Sequence, residues 1–135
     1  MNIPTRFALA LALCTFLTGC GDSGIVGKWH GSIARQGTSV ATTFTFSADG
    51  KETMQAVAAF SGRQLNILSS GTYVIKDNTL TQTFDSMTMD GRALPMASLS
   101  AALKTESDTF KLAGDTLTVT KVGGTLPLTL TRVKN

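Results

Sequence analysis

Few side chains in this sequence have the types and spacing that chemistry requires, and the methionines are the most suggestive of them. Met87 and Met89 are followed seven residues later by Met96, and thioethers of this kind bind Cu(I). His30 and Met54 could join them in the folded chain. Methionine also fills irregular gaps in protein cores, and residues two apart share one face of a strand. We therefore expect core packing here and predict no metal site.

The polar groups of hydrolases give a second set of candidates. His30 is the only histidine, and it occupies an outward position of a predicted strand, whereas a catalytic triad or a zinc site needs histidine inside a cleft. Asp85 and Asp90 could form the carboxylate pair of a hydrolase. The sequence contains no phosphate-binding glycine loop, Cys-x-x-Cys or Gly-x-Ser-x-Gly. We therefore expect neither an enzyme nor a bound cofactor.

Cys20 has a more specific sequence context. Arg6 precedes an uncharged apolar run over residues 7–17, which as a helix would span about 17 Å against about 30 Å of bilayer hydrocarbon. This run is too short for a transmembrane helix and has the length of a signal-peptide core. Leu17-Thr18-Gly19-Cys20 follows directly and resembles the lipobox of bacterial lipoproteins. The resemblance implies cleavage before Cys20 and attachment of diacylglycerol to its thiol.

The same resemblance indicates where the protein is held. Two or three acyl chains anchor a protein firmly, so we expect membrane attachment through Cys20. In Gram-negative lipoproteins an aspartate directly after the cysteine commonly retains the protein in the inner membrane, but here Gly21 occupies that position. We therefore expect the periplasmic face of the outer membrane. The predicted organisation is a signal peptide over 1–19, a lipidated N-terminus and short linker over 20–24, and one domain over 25–135.

The composition of the chain is that of a globular protein, with 42% hydrophobic and 16% charged residues. Without Arg6, eleven Lys and Arg remain against nine Asp and Glu, so the predicted mature chain has a net charge near +2. The basic residues form no stripe, and we predict no nucleic-acid partner. Cys14 would leave with the signal peptide and Cys20 would carry lipid, so the domain must fold without a disulfide.

Alternation of apolar and polar residues dominates the predicted domain and indicates β-strands. The alternating segments are separated by turn pairs such as Asp49-Gly50 and Gly123-Gly124. They cover residues 25–34, 42–47, 51–60, 71–76, 79–84, 109–112, 116–122 and 125–133. Short strands at this spacing predict an all-β sandwich or barrel.

Residues 87–103 are the least regular part of the domain. Pro95 cannot donate to a strand ladder, which argues against a central strand at that point. Residues 96–103 could form one short helix directly after Pro95, or a loop with a strand behind it. The sequence leaves both alternatives open.

Two separated motifs resemble the lipocalin and lipocalin-like families. Gly27-Lys28-Trp29 opens the first strand and Arg132 lies near the end of the last, as in barrels where a Gly-x-Trp packs beneath a C-terminal arginine. Alternation also places Arg132 on the same face as Leu128 and Leu130, so stacking on Trp29 would account for an inward arginine. The resemblance implies a small antiparallel up-and-down barrel of about eight strands, closed by Gly27, Trp29 and Arg132. Small bacterial lipocalin-like lipoproteins are the group that this combination resembles.

Two functions are compatible with such a barrel. The first is the binding of a small apolar ligand inside it, against Phe44, Phe46, Tyr73, Leu117 and Val119. The alternative is a protein-interaction role, as an inhibitor of a periplasmic cell-wall hydrolase or an envelope assembly factor. Ser70-Gly71-Thr72-Tyr73 is similar to a Ser-Gly-x-x-Tyr motif of one family of lysozyme inhibitors, with one residue fewer.

Overall fold

The computed structural model describes residues 24–124 and 126–134. The predicted signal peptide, Cys20 and residues 21–23 of the predicted linker lie outside the described residues. Where the structure describes the chain, no helix is long and apolar enough to span a bilayer.

Nearly all of the described chain is β-structure, as its alternating pattern predicts. The strands are β1 (Gly27–Arg35), β2 (Thr38–Phe46), β3 (Lys51–Phe60), β4 (Arg63–Lys76), β5 (Thr79–Met89), β6 (Arg92–Ala93), β7 (Thr105–Ala113), β8 (Thr116–Lys121) and β9 (Pro127–Arg132). Between β6 and β7 lie a single 3₁₀ turn (Met96–Ser98) and one turn of α-helix, α1 (Ala101–Lys104).

Eight of these strands form a closed antiparallel up-and-down barrel, with the two-residue β6 appended to β5. Each barrel strand pairs with its neighbours in sequence, and β9 returns to pair with β1 through Trp29 and Arg132. Closure removes the exposed sheet edges that invite aggregation. The predicted all-β class and eight-stranded barrel are therefore confirmed, and the architecture fits a lipocalin-like fold.

Tight turns set the register of three hairpins. Gln36-Gly37, Ser61-Gly62 and Asp90-Gly91 all have positive φ at both residues, the conformation of a type I′ turn, whose twist matches that of the flanking strands. The first two turns lie at one end of the barrel, which we call the far end. The opposite, N-terminal end is where β1 begins and β9 finishes.

Two strands are longer than their sequence pattern indicated. Strand β4 begins at Arg63 rather than at residue 71, and β5 continues to Met89 rather than ending at residue 84. The pairing of β4 with β5 has a register shift between Ser70 and Gly71. The shift brings β5 so close that a Cβ on Gly71 would overlap the Thr83 carbonyl oxygen. Glycine is therefore required in β4 opposite a bulge of β5, in which Asp85 is the unpaired residue.

Neither alternative for residues 96–103 describes the structure fully. Met87 to Met89 complete β5 and Arg92–Ala93 form β6. The single helix considered over 96–103 is replaced by the two short helical turns, separated by extended backbone at Leu99 and Ser100.

The apolar core fills the N-terminal end of the barrel. Its fully buried side chains are Ile25, Trp29, Phe46, Leu80, Leu117 and Leu130. Half-buried side chains pack against them, including Tyr73, Ile75, Phe110 and Leu112. This packed end leaves the middle of the barrel as the place where an interior site can form.

Candidate functional site

The closure of the barrel is built on one stacked pair. The guanidinium carbon of Arg132 lies 4.2 Å from the centroid of the Trp29 ring, within the range of a cation–π interaction. The Trp29 indole Nε1 donates to the Ile25 carbonyl oxygen at 2.7 Å. Gly27 has a φ of +134°, and a Cβ there would lie 2.7 Å from Arg132 Nη1. Gly27 therefore leaves the space that Arg132 occupies.

Arg132 also holds the segment that enters the barrel. Its Nη1 donates to the Val26 carbonyl oxygen at 2.8 Å, and its Nη2 donates to that of Gly24 at 2.7 Å. Its Nε lies 3.4 Å from Asp115 Oδ1. The pKa of Asp115 is lowered by a hydrogen bond and charge from Lys134, with a smaller contribution from Arg132. These contacts explain Gly27, Trp29 and Arg132 as structural residues at the N-terminal end.

A cavity of about 160 Å³ lies inside the barrel, between the core and the far end. Its apolar wall is formed by Phe44 and Phe46 of β2, Val119 of β8 and the leucines of β9, Leu128 and Leu130. The rings of Phe44 and Phe46 are stacked, with 5.8 Å between their centroids. Three of the five residues predicted to face a ligand therefore line this space.

The other two predicted ligand contacts do not line the cavity. Tyr73 packs its ring edge against Phe46, with centroids 5.0 Å apart, and its hydroxyl donates to the Ser47 carbonyl oxygen at 2.7 Å. Leu117 is fully buried in the core at the N-terminal end. Both residues pack in or against the core on the N-terminal side of the cavity and do not face the cavity.

A polar wall faces the aromatic rings and was not predicted from the sequence. It consists of Gln82 of β5, Glu106 and Asp108 of β7, and Lys121 of β8. Strand pairing places Gln82 opposite Glu106, and Asp108 opposite Lys121. The cavity is therefore apolar on one side and carries titratable groups on the other.

Glu52 extends the polar wall from behind. Its side chain is 2% exposed, and its Oε2 accepts a hydrogen bond from Gln82 Nε2 at 2.5 Å. Gly71 is the residue of β4 that pairs with Glu52, and Gln82 reaches Glu52 from the next strand, β5. Burial raises the pKa of the Glu52 carboxyl from 4.5 to about 7, partly opposed by the Gln82 hydrogen bond and assisted by the negative charge of Glu106.

Asp108 is the most deeply buried charged group that lines the cavity. It is 5% exposed, and its Oδ1 has no hydrogen-bond partner within the described chain. Burial raises the pKa of Asp108 from 3.8 to about 6, with a further increase from the charge of Glu106. The charge of Lys121 and a hydrogen bond from the Val122 backbone oppose this rise.

Lys121 is already engaged by another carboxylate. Its Nζ lies 2.5 Å from Glu106 Oε1, and this hydrogen bond and the charge of Glu106 raise the pKa of Lys121. The lysine side chain is otherwise exposed at the far end. Its ion pair is therefore with Glu106, while its charge also lowers the pKa of Asp108.

The alternation of side chains along β7 and β3 indicates that the acidic residues of the polar wall point inward. Glu106 and Asp108 have the same parity as the inward Phe110 and Leu112, but the alternating segment was recognised only from residue 109. Glu52 likewise has the parity of Met54 and the buried Ala56 in β3. Glu52 already lies within the predicted segment 51–60, and extending the inward face of β7 from Phe110 to Asp108 would have added the second buried carboxylate.

The other candidates from the sequence do not form a site. His30 is exposed, and its Nδ1 lies 2.8 Å from Thr43 Oγ1, on the opposite face of the sheet from Met54, so these two cannot join a copper site. Asp85 and Asp90 are separated by about 16 Å of extended strand, and Asp90 Oδ1 accepts from the Asn66 backbone N–H. Among residues 24–124 and 126–134, no cluster of three His, Cys, Asp or Glu side chains could hold a metal ion.

The methionines of β5 are half-buried. Met87 pairs with Ser69 and Met89 with Ile67, so both lie on the face of the sheet that carries the buried Ser69. This position agrees with packing against the inner face of the sheet.

The larger hollows of the molecule are surface features. A groove of about 640 Å³ lies at the far end between the turns at residues 36–37 and 61–62, and it is lined mainly by exposed side chains. The cavity beside Phe44 is smaller but lies within the barrel. Its position inside the barrel, its aromatic surface and the buried carboxylate of Asp108 make it the candidate site.

Comparisons with known proteins add no family to this description. No protein-family model matches the chain, and no curated protein matches it in sequence. The functional argument therefore depends on the geometry of the barrel.

Proposed function

We propose that this protein is a binding protein whose barrel holds one small, largely apolar molecule. The observation that carries the proposal is the interior cavity of about 160 Å³, bounded by Phe44, Phe46 and Val119. A concave apolar space with a few convergent polar groups is the usual form of a small-molecule site. Eight-stranded barrels are wide enough either for side chains alone or for one small ligand.

The volume of the cavity limits what can bind. Sites for drug-sized molecules measure roughly 300–1,000 Å³, whereas an apolar cavity of about 150 Å³ accommodates benzene. The expected ligand is therefore a single ring or a short chain, with a mass on the order of 100 Da. A fatty acid or a haem group is too large for this space.

The proposal includes a lipid anchor at Cys20 and a location on the periplasmic face of the outer membrane. It is supported by the sequence Leu17-Thr18-Gly19-Cys20 and by Gly21 in the sorting position. The described chain begins at Gly24, whose carbonyl accepts from Arg132, so the linker reaches the barrel at its N-terminal end. In that arrangement the barrel would present its far end to the periplasm.

Native mass spectrometry of the full-length protein, purified from a bacterial envelope and released from detergent, tests ligand binding. We expect an additional mass on the order of 100 Da that dissociates on denaturation. The variant Val119→Phe, which fills the cavity, should lose this mass. Val74→Phe is the matched control, since Val74 is 64% exposed on the outside of β4. A wild-type protein without the additional mass would contradict the proposal.

A second candidate function is binding of a protein partner at the far end. Leu103, Val122 and Leu126 are all exposed there, and residues 90–93 form an exposed tip between β5 and β6. The Ser70-Gly71-Thr72-Tyr73 resemblance does not support it, because Gly71 is buried, Ser70 Oγ lies 2.6 Å from Ser86 Oγ and Tyr73 bonds to Ser47.

Inhibition of a cell-wall hydrolase is the measurable form of this alternative. Purified protein would be added to a muramidase digesting peptidoglycan, with Val122→Asp as the test variant and Val74→Asp as the control. Slower digestion that only Val122→Asp relieves would favour the protein-interaction role. Digestion at an unchanged rate would remove hydrolase inhibition from consideration.

A further inference from the structure

One carboxyl group of the cavity wall, that of Asp108, has an oxygen without a hydrogen-bond partner in the described part of the chain. This side chain lines the cavity, is 5% exposed, and its Oδ1 has no partner among the described residues. A buried carboxylate oxygen without a hydrogen bond is costly, because water no longer solvates it. A donor group on a ligand would satisfy it.

The charges around Asp108 favour a positively charged donor. The titratable groups that act on Asp108 are Glu106 beside it on β7 and Lys121 opposite it on β8. Glu52 on β3 interacts in turn with Glu106. Strand β5 contributes the neutral Gln82, and the part of β9 that lines the cavity contributes only leucines. Three carboxyls thus share one ammonium group, and that group already contacts Glu106 at 2.5 Å.

The opposite wall suits the remainder of such a ligand. The stacked rings of Phe44 and Phe46 present an aromatic surface across the cavity from the carboxylates. Aromatic faces attract both apolar groups and cations. The site therefore has a carboxylate for an ammonium group and an apolar wall for a ring or a short chain.

We propose that the barrel selects a small primary amine, with its ammonium group bound at the Asp108 carboxyl group and its apolar part against Phe44 and Phe46. This inference rests on the proposed ligand-binding function and specifies the chemical class of ligand. It predicts discrimination between molecules of equal size that differ only in the charged group.

Isothermal titration calorimetry with benzylamine and benzyl alcohol tests this selection. The full-length protein in detergent micelles would be titrated at pH 7.5, and the heat of titrating micelles alone would be subtracted. We expect benzylamine to bind at least tenfold more tightly than benzyl alcohol. Asp108→Asn should remove this preference while leaving benzyl alcohol binding within twofold. Asp85→Asn, at an exposed position of β5, should change neither affinity.

The same titration on the wild-type protein at pH 5 provides a measurement that does not depend on a variant folding. Protonation of the site carboxyls should weaken benzylamine binding at least fivefold and leave benzyl alcohol unaffected. Equal affinities for the two probes at pH 7.5 would overturn the amine preference and leave the binding function intact. Failure of both probes to bind would count against the binding function itself.

Discussion

The guanidinium group of Arg132 covers the indole ring of Trp29, with 4.2 Å between the guanidinium carbon and the ring centroid. These residues are also direct partners where β9 pairs with β1. The stacked pair therefore lies at the point where the last strand pairs with the first and closes the barrel. One arginine joins the last strand, the first strand and the backbone of Gly24 and Val26.

Arg132→Ala should destabilise the barrel by about 2–3 kcal/mol, because it removes the cation–π contact and leaves two carbonyl oxygens without their donors. Urea unfolding followed by circular dichroism measures the change. Lys134→Ala is the control, since Lys134 also contacts Asp115, at 2.9 Å, but its side chain is 77% exposed. Lys134→Ala should lower the free energy of unfolding by less than about 1 kcal/mol. Equal effects of the two variants would mean that the stacking contributes little.

Gly71→Ala should be among the most damaging single substitutions in the chain. Its Cβ would overlap the backbone of Thr83 and Phe84, so one strand must move, at an expected cost above about 3 kcal/mol. Gly62→Ala has nothing within 4 Å of its Cβ but requires a φ of +73°, for which we expect a cost of about 1 kcal/mol. The difference between the urea midpoints of the two variants measures the effect of the close approach between Gly71 and the backbone of β5. Similar midpoints would contradict the prediction that this close approach makes Gly71→Ala the more damaging substitution.

The buried carboxyls predict that the barrel is more stable at mildly acidic pH than at alkaline pH. The folded-state pKa values of Glu52 and Asp108 are raised to about 7 and about 6, so the folded state retains protons that the unfolded chain has released. The free energy of unfolding should therefore fall as the pH rises from about 4.5 to 7.5. The Glu52 contribution is on the order of 3 kcal/mol.

Thermal unfolding at pH 5 and pH 8 measures this dependence. Glu52→Gln keeps an acceptor for Gln82 and removes the titration, so most of the difference in Tm between the two pH values should disappear. Asp85→Asn serves as the control and should keep the wild-type difference. A wild-type Tm that is higher at pH 8 than at pH 5 would show that both carboxyls ionise without penalty.

The proposed lipid anchor predicts the orientation of the barrel on the membrane. Residues 21–24 span at most about 14 Å when fully extended, so the N-terminal end should lie close to the bilayer. A fluorophore on Asp49→Cys, at the N-terminal end, should be quenched by spin-labelled lipids at least threefold more than one on Ser61→Cys, at the far end. Equal quenching at both positions would contradict this orientation.

Cys20→Ser provides the control for that experiment. Without the thiol there is no acceptor for diacylglycerol, so this variant should incorporate no radioactive palmitate, whereas the wild-type protein should be labelled. Labelling of Cys20→Ser would mean that lipid is attached elsewhere.

Local pattern was sufficient to predict most of the architecture. Alternation identified the strands because side chains of a strand point to opposite faces, and pairs such as Asp49-Gly50 located turns because their conformation is a local property. The same parity placed Arg132 on the inward face with Leu128 and Leu130. Residues 63–70 of β4 were missed because the register shift between Ser70 and Gly71 depends on the neighbouring strand β5, where Asp85 is the unpaired residue.

The sequence by itself therefore determined the class of fold, the approximate positions of most strands and the residues that close the barrel. Only the tertiary structure decided which side chains of different strands face one another across the interior of the barrel. Glu52 meets Gln82 thirty residues away, and Asp108 shares a cavity with Phe44 from the other side of the barrel. Such contacts depend on strand register and on the width of the closed barrel, which alternation along one strand does not specify.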